Sequence, residues 1–346
     1  MAERPLRRFR PLIALAVAFG LLALALPGLA GTFPQTTLEP RSEVAKLIDD
    51  LLDSIVFWCT LIFILVEGAL IITVLRFRRR PGGPPARPIH GNTPLEITWT
   101  VIPAIILALI AVPTVKTIFK TQTLPKNALT VEVVGHQWWW EFRYPELGIT
   151  TANELYIPSG RDVAFVLTSV DVIHSFWVPA FGGKRDVIPG RTNHMWFNAR
   201  ENGSFPGQCT EYCGASHANM LFKVVAKPQA EFDAWVAQQK APVAPPDTMT
   251  LAARGLEIYR NGQCVACHTI DNISFGTVGP NLSKLAMRST IAAGILPNDP
   301  EHLREWISNA PSIKPGSLMP QGTSTSGMNL SRSDVEAIAA YLETRR

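Results

Sequence analysis

The sequence predicts a membrane-anchored, multidomain chain: a two-helix transmembrane hairpin, then an all-β sandwich, then an all-α unit. Three observations carry that prediction. Two long apolar runs lie in the first third of the chain. Short β-rich runs, punctuated by Gly, Pro and Asn, fill the stretch from Leu129 to Lys227. A Pro/Ala-rich spacer then gives way to helical patterns on either side of the stretch CVACH. With 346 residues there is room for two or three such units. The net charge of +4 implies no polyelectrolyte partner, and nucleic acid is not expected.

The basic head RPLRRFR, an apolar core and small residues at Gly28 and Ala30 read as a signal peptide over 1–30, cut after Ala30. An outward segment, 31–53, follows. Ser54–Phe77 and Glu96–Phe119 are each long enough to cross roughly 30 Å of hydrocarbon. The loop between them, RFRRRPGGPPARPIHG, is rich in arginine. The positive-inside rule puts it in the cytoplasm and everything after Lys120 outside. Pro103 and Pro113 in the second span are tolerable in a bundle. Glu67 is an expensive carboxylate within the first span. It reads first as a protonated or hydrogen-bonded contact to a neighbouring subunit, second as a proton-conducting group. Glu96 sits at the cytoplasmic end of its span, where an acid is cheap and can pair with an arginine such as Arg87.

Residues 121–239 form the expected β domain. Its runs LTVEVVGHQWWWEFRY, DVAFVLTSV, NHMWFNA and MLFKVVA have strand length and composition. Before the last strand lies CTEYCGASHANM, with Cys209, Cys213, His217 and Met220. Thiolate and thioether are soft ligands and imidazole suits copper and zinc alike, so the loop reads as a metal site. A further ligand has to come from elsewhere, and spacing alone leaves His136, His174 and His194 open. A closed zinc tetrahedron of Cys209, Cys213, His217 and one more histidine is the competing arrangement; it leaves Met220 unexplained. Cys59, in an apolar run, reads as a small buried hydrophobe.

DVIHSFWVPAFGGKRDVIPGR, CTEYCGASHANM and GHQWWWEFRYPE together resemble subunit II of cytochrome c oxidase, as does EITWTVIPAIILALIAVP in the second span. The resemblance runs from about Ser54 to Gln239. It implies a cupredoxin-like Greek-key sandwich carrying the dinuclear copper A centre. The implied ligands are His174, Cys209, Cys213, His217, Met220 and the backbone carbonyl of Glu211. Two bridging thiolates would share charge over both coppers. The resemblance further implies that Trp138 is the surface tryptophan through which electrons enter. It also implies that the Glu211 side chain reaches a magnesium ion shared with subunit I, and that Glu96 stands at the mouth of a proton path. The alternative for Trp138 is a packing residue, with alternate tryptophans of the run buried.

After the linker 240–248, the unit 249–346 contains CVACH, the attachment signature of c-type haem. Cys264 and Cys267 would form the thioethers and His268 the proximal iron ligand. A thioredoxin-like CxxC is disfavoured by the adjoining histidine and the missing βαβ pattern. The sixth ligand is sought among Met287, Met319 and Met328; GSLMPQG places Met319 in an extended loop, resembling the methionine loop of class I cytochromes c. Gly255 and Tyr259 on one helix, with Ala339 and Tyr341 on another, would make the close helix crossing of that family.

The resemblance thus implies subunit II of a caa-type terminal oxidase. Electrons would pass from haem c to copper A and on to haem in subunit I, for oxygen reduction coupled to proton pumping. The expected partners are subunit I, subunit III, and cytochrome c or a quinol–cytochrome c reductase as donor. An electron-entry subunit of a nitric oxide or nitrous oxide reductase is the alternative. A membrane-anchored electron carrier with no catalytic partner fits the second span and Glu96 poorly.

Overall fold

The computed structural model describes residues 36–78, 82, 88 and 90–346. The expected signal peptide and Arg87 lie outside them.

Two long helices come first, α1 (Glu43–Phe77) and α2 (Thr93–Gln122). Each has a side-chain cap. Ser42 Oγ accepts from Ala45 N at 2.9 Å, and Asn92 Oδ1 accepts from Leu95 N at 3.2 Å. Both helices are apolar and long enough to cross a membrane, and they pack on one another. The first begins at Glu43, ahead of the apolar span expected from Ser54, so residues 43–53 of the expected outward segment are helical. Good helix formers and the Lys46–Asp50 pair at 2.6 Å carry the helix back to its cap. Its 35 residues span about 52 Å at 1.5 Å per residue, more than the hydrocarbon needs. The surplus is tied down: Val44 and Ala45 are buried, and Ser42 Oγ donates to Phe181 O at 2.7 Å.

The β unit has ten strands: β1 (Leu129–His136), β2 (Trp139–Tyr144), β3 (Ile149–Ala152), β4 (Glu154–Pro158), β5 (Val163–Ser169), β6 (His174–Trp177), β7 (Arg185–Val187), β8 (Asn193–Phe197), β9 (Gly203–Cys209) and β10 (Leu221–Lys227). They form two five-stranded sheets, ordered β3-β2-β1-β5-β8 and β4-β10-β9-β6-β7. The β1–β5 and β4–β10 pairs are parallel and the other pairs antiparallel. Alternation in β10 sends Phe222, Val224 and Ala226 inward. Phe222 and Phe176 stack at 4.5 Å in the core, with Trp140 edge-on to both. A helix α3 (Gln229–Lys240) follows and buries Phe232 and Trp235 against the sandwich.

The C-terminal unit consists of α4 (Leu251–Asn261), α5 (Cys264–Cys267), α6 (Pro300–Ile313) and α7 (Arg332–Glu343). It also has two small hairpins, β11–β12 (Thr269–Ile270, Ser274–Phe275) and β13–β14 (Thr290–Ile291, Leu296–Pro297). Helices α4 and α7 cross closely. A Cβ on Gly255 would stand 1.8 Å from Ala337 O and 2.8 Å from Tyr341 Cβ, so only glycine fits. Ala337, rather than the expected Ala339, supplies the backbone that Gly255 meets, while Tyr259 and Tyr341 lie 5.9 Å apart as rings.

Candidate metal and cofactor sites

Strand pairing builds the first site. Antiparallel β9 and β10 bring the ends of the loop 210–220 together, and Cys209 N donates to Met220 O at 3.0 Å. Strand β6 pairs with β9 through Phe176 and Cys209, which carries His174 alongside the loop. Of the three histidines left open by spacing, His174 alone joins. His136 pairs with Glu141 at 3.0 Å and stacks on Trp139, and His194 is exposed on β8.

Two donor groups result. His174 Nδ1 and Glu211 O lie 3.9 and 3.3 Å from Cys209 Sγ. His217 Nδ1 and Met220 Sδ lie 3.5 and 3.9 Å from Cys213 Sγ. The two sulfurs are 3.8 Å apart, far beyond the roughly 2.05 Å of a disulfide. Cys209, Cys213, His174 and Met220 are all buried. The hydrogen bond between the thiols pulls the first ionisation of the pair well down, and the resulting charge pushes the second up. A dithiolate therefore needs a cation. The set of two sulfurs, two imidazoles, a thioether and a carbonyl fits copper, and it accounts for Met220 as the zinc arrangement does not. A Cβ on Gly135 would come 2.7 Å from His174 Cδ2, so glycine lets the ring lie flat against β1.

Asp171 was not singled out from sequence. Its Oδ1 is 2.8 Å from His174 Nε2, which leaves Nδ1 for a metal. Burial opposes the His174 imidazolium, but Asp171 and Cys209 outweigh it and hold its pKa above the usual value. Only the Asp–x–x–His spacing could have hinted at this.

The second site is a cavity of about 380 Å³ in the C-terminal unit, lined by Cys264, Cys267, His268, Met319 and Met328. His268 Nδ1 donates to Pro280 O at 2.9 Å, leaving Nε2 as the ligand atom. Gly279 allows the chain to pass the imidazole, since a Cβ there would lie 2.5 Å from Cε1. Arg288, also on the wall, has a buried Nε without a partner. Such an orphaned donor suits a group that carries carboxylates, and with CVACH it makes the cavity fit haem. Met287 turns away, packs on the β unit and accepts from Gln239 Nε2 at 3.4 Å. Met319 and Met328 remain together on the wall.

Trp138 departs from its expected surface position. It is 9% exposed, and its indole lies under the C-terminal unit, where a Cβ on Gly316 would approach Cη2 to 2.6 Å. It lines the cavity, and its Nε1 donates to Cys213 O at 2.9 Å. The Glu211 carboxylate is partly exposed, 3.9 Å from Lys184 Nζ. Among the described residues the one cluster of three His, Cys, Asp or Glu in metal-holding reach is His174, Cys209 and Cys213, so Glu211 gains no second carboxylate from them. Glu96 is exposed and caps its own helix, Oε1 accepting from Asn92 N at 3.2 Å.

Comparison with known proteins identifies the family. The sequence matches the family descriptions "Cytochrome C oxidase subunit II, transmembrane domain" over residues 35–117, "Cytochrome C oxidase subunit II, periplasmic domain" over 147–227, and "Cytochrome c" over 252–346. It is 40% identical over 330 residues to cytochrome c oxidase subunit 2 of Alkalihalophilus pseudofirmus, covering 93% of this chain and 94% of that one. It is 37% identical over 344 residues to the protein of that name from Bacillus sp. (strain PS3), covering 94% and 95%. Among solved structures, the periplasmic domain of subunit II of cytochrome oxidase from Bradyrhizobium japonicum is 36% identical, with a TM-score of 0.33. It covers 34% of this chain and 97% of that one.

Proposed function

The chain belongs to the family of cytochrome c oxidase subunit II, and from that premise we propose that it is the electron-entry subunit of a haem–copper oxidase, carrying its own donor. When bound, a covalent haem c and a dinuclear copper centre supply one-electron redox chemistry, relaying electrons toward subunit I for oxygen reduction coupled to proton pumping. Cys264 and Cys267 would hold the haem covalently, and His268 and Met319 would supply ligands to its iron. Cys209, Cys213, His174, His217, Met220 Sδ and Glu211 O would hold the two coppers.

The observation that carries this reading is Trp138. One residue forms part of the cavity wall and hydrogen-bonds the backbone of a copper-ligand cysteine. Trp138 would carry an electron from a haem held in the cavity into the copper loop. Asp171 orients His174, and Pro280 O orients His268, so both ligands are set before binding. The Glu211 side chain would complete a magnesium site with ligands from subunit I. Glu96, at the cytoplasmic end of α2, would take in protons. Both cofactor units would face outward, with subunit III nearby and cytochrome c or a quinol–cytochrome c reductase as donor.

The full chain, matured with copper and haem, is expected to hold two coppers per haem and to give a mixed-valence paramagnetic signal shared over both nuclei. Its haem should survive acid–acetone extraction. One zinc per chain in place of the two coppers would refute the copper half of the reading, and extractable haem the other half.

A further inference from the structure

The contact between the two cofactor units buries two ionisable side chains, one from each unit. Glu154, the first residue of β4, has no exposure. Its Oε1 accepts four hydrogen bonds from the C-terminal unit: Ser289 N and Oγ at 2.8 Å each, Thr290 N at 3.0 Å and Thr290 Oγ1 at 3.1 Å. Lys223 Nζ stands 3.3 Å from the same oxygen and donates to Ser289 Oγ. At the other end the roles reverse. Lys314 of the C-terminal unit is 4% exposed; its Nζ donates to Trp138 O in the β unit and, at 3.2 Å, to Ala292 O. Burial pushes its pKa down to about 7, and the amine donates in either protonation state. Between the two ends, Leu221 N donates to Ala293 O at 3.2 Å and Ser216 Oγ to Pro315 O at 2.6 Å.

Buried ionisable groups are costly unless their lone pairs and protons are matched. Here the matching runs across the boundary in both directions. Docking in any other register would bury a carboxylate on one face, and two hydroxyls and two amides on the other, without these partners. Surfaces built for brief encounters keep their charges hydrated at the rim, where they steer approach. Buried groups satisfied across the boundary from both sides do the opposite: they reject every register but one.

We propose that Glu154 and Lys314 are positioning residues, the two ends of a clasp that locks the cytochrome unit onto the copper unit in one register. The lock fixes Trp138 as their shared wall. Its functional consequence, that no domain movement accompanies electron exchange, rests on the relay proposed above.

The test is hydrogen exchange on the full chain, loaded with copper and haem in detergent, reading peptides that contain Leu221 and the segment 289–294. In the wild type these amides are expected to be protected. Glu154→Ala combined with Lys314→Met should speed their exchange at least tenfold, while peptides from β1 and α7 stay protected and report intact folding. Glu154→Gln keeps a carbonyl acceptor and should recover most of the protection. If the double variant loses β1 or α7 as well, Glu154→Ala and Lys314→Met alone are judged by the same criterion. Fast exchange in the wild type, or unchanged protection in the variants, would overturn the clasp. Flash reduction of the haem adds a readout that a merely structural role would not move. Electron arrival at copper should be independent of viscosity in the wild type and viscosity-limited in the double variant; a viscosity-limited wild type would also overturn the clasp. A protected interface with no electron arrival at all would count against the relay and leave the clasp standing.

Discussion

Replacing Asp171 by Asn tests how the copper loop obtains a correctly turned histidine. Asp171 has three close donors, with Ser169 Oγ a more distant fourth at 3.4 Å. Its Oδ1 takes Val172 N at 2.6 Å and faces His174 Nε2 at 2.8 Å, and its Oδ2 takes Gln137 N at 2.6 Å. An asparagine offers one oxygen and one NH2. If the oxygen takes the Oδ1 place, the NH2 meets the Gln137 N–H; if the oxygen takes the Oδ2 place, the NH2 meets His174. Either way a donor faces a donor, and the charge that favours Nε2–H is gone. A hydrogen bond to a charged group is worth about 1.5–3 kcal/mol, roughly 10- to 150-fold in a binding constant. Hydrogen-bond partners of metal-bound histidines independently give about 10- to 100-fold. Asp171→Asn should therefore weaken copper binding by about 30-fold on these grounds. Competition with a copper chelator of known affinity, on the full chain with the haem spectrum as a folding control, measures it. Affinity within about threefold of wild type would show that β6 alone turns His174, and that Asp171 does not act as the orienting group.

Two further outcomes are expected. Met319→Ala should abolish the methionine–iron charge-transfer absorption of the oxidised haem unit while Met328→Ala retains it; the reverse pattern would make Met328 the ligand, since both line the cavity. Glu96→Gln keeps an oxygen for the Asn92 cap and removes only the ionisable proton. It should slow oxygen consumption in the assembled oxidase without changing electron transfer from haem to copper, and unaltered turnover at full assembly would rule out an essential uptake role for Glu96.

Much of both sites was legible because their ligands are local. Cys209, Cys213, His217 and Met220 share one loop, and Cys264, Cys267 and His268 share one helical turn, so spacing alone reports the chemistry. His174 was legible only through resemblance. What selects it over His136 and His194 is the pairing of β6 with β9, a long-range register that no local pattern encodes. The same holds for Trp138: strand alternation bears on burial against the sandwich, but its cover comes from Gly316, far along the chain. The start of α1 at Glu43 was not legible, because the hydropathy that marks a span says nothing of a polar helical extension. Nothing in the local sequence marks Glu154, and only the docked segment around β13–β14 gives it four donors.

The unbroken run of α1 from its buried first turn to Phe77 turns residue count into geometry. Each residue between Val44 and the lipid-facing stretch adds about 1.5 Å of height and about 100° of rotation. The stalk has no loop in which to absorb an error. One inserted residue would swing the copper unit about a quarter-turn around the helix axis relative to the membrane surface of the same helix. Four inserted residues would nearly restore the bearing while lifting the unit by about 6 Å. Insertions along this stalk thus separate two quantities that are otherwise bound together: how far the copper loop stands from the bilayer, and which way it faces.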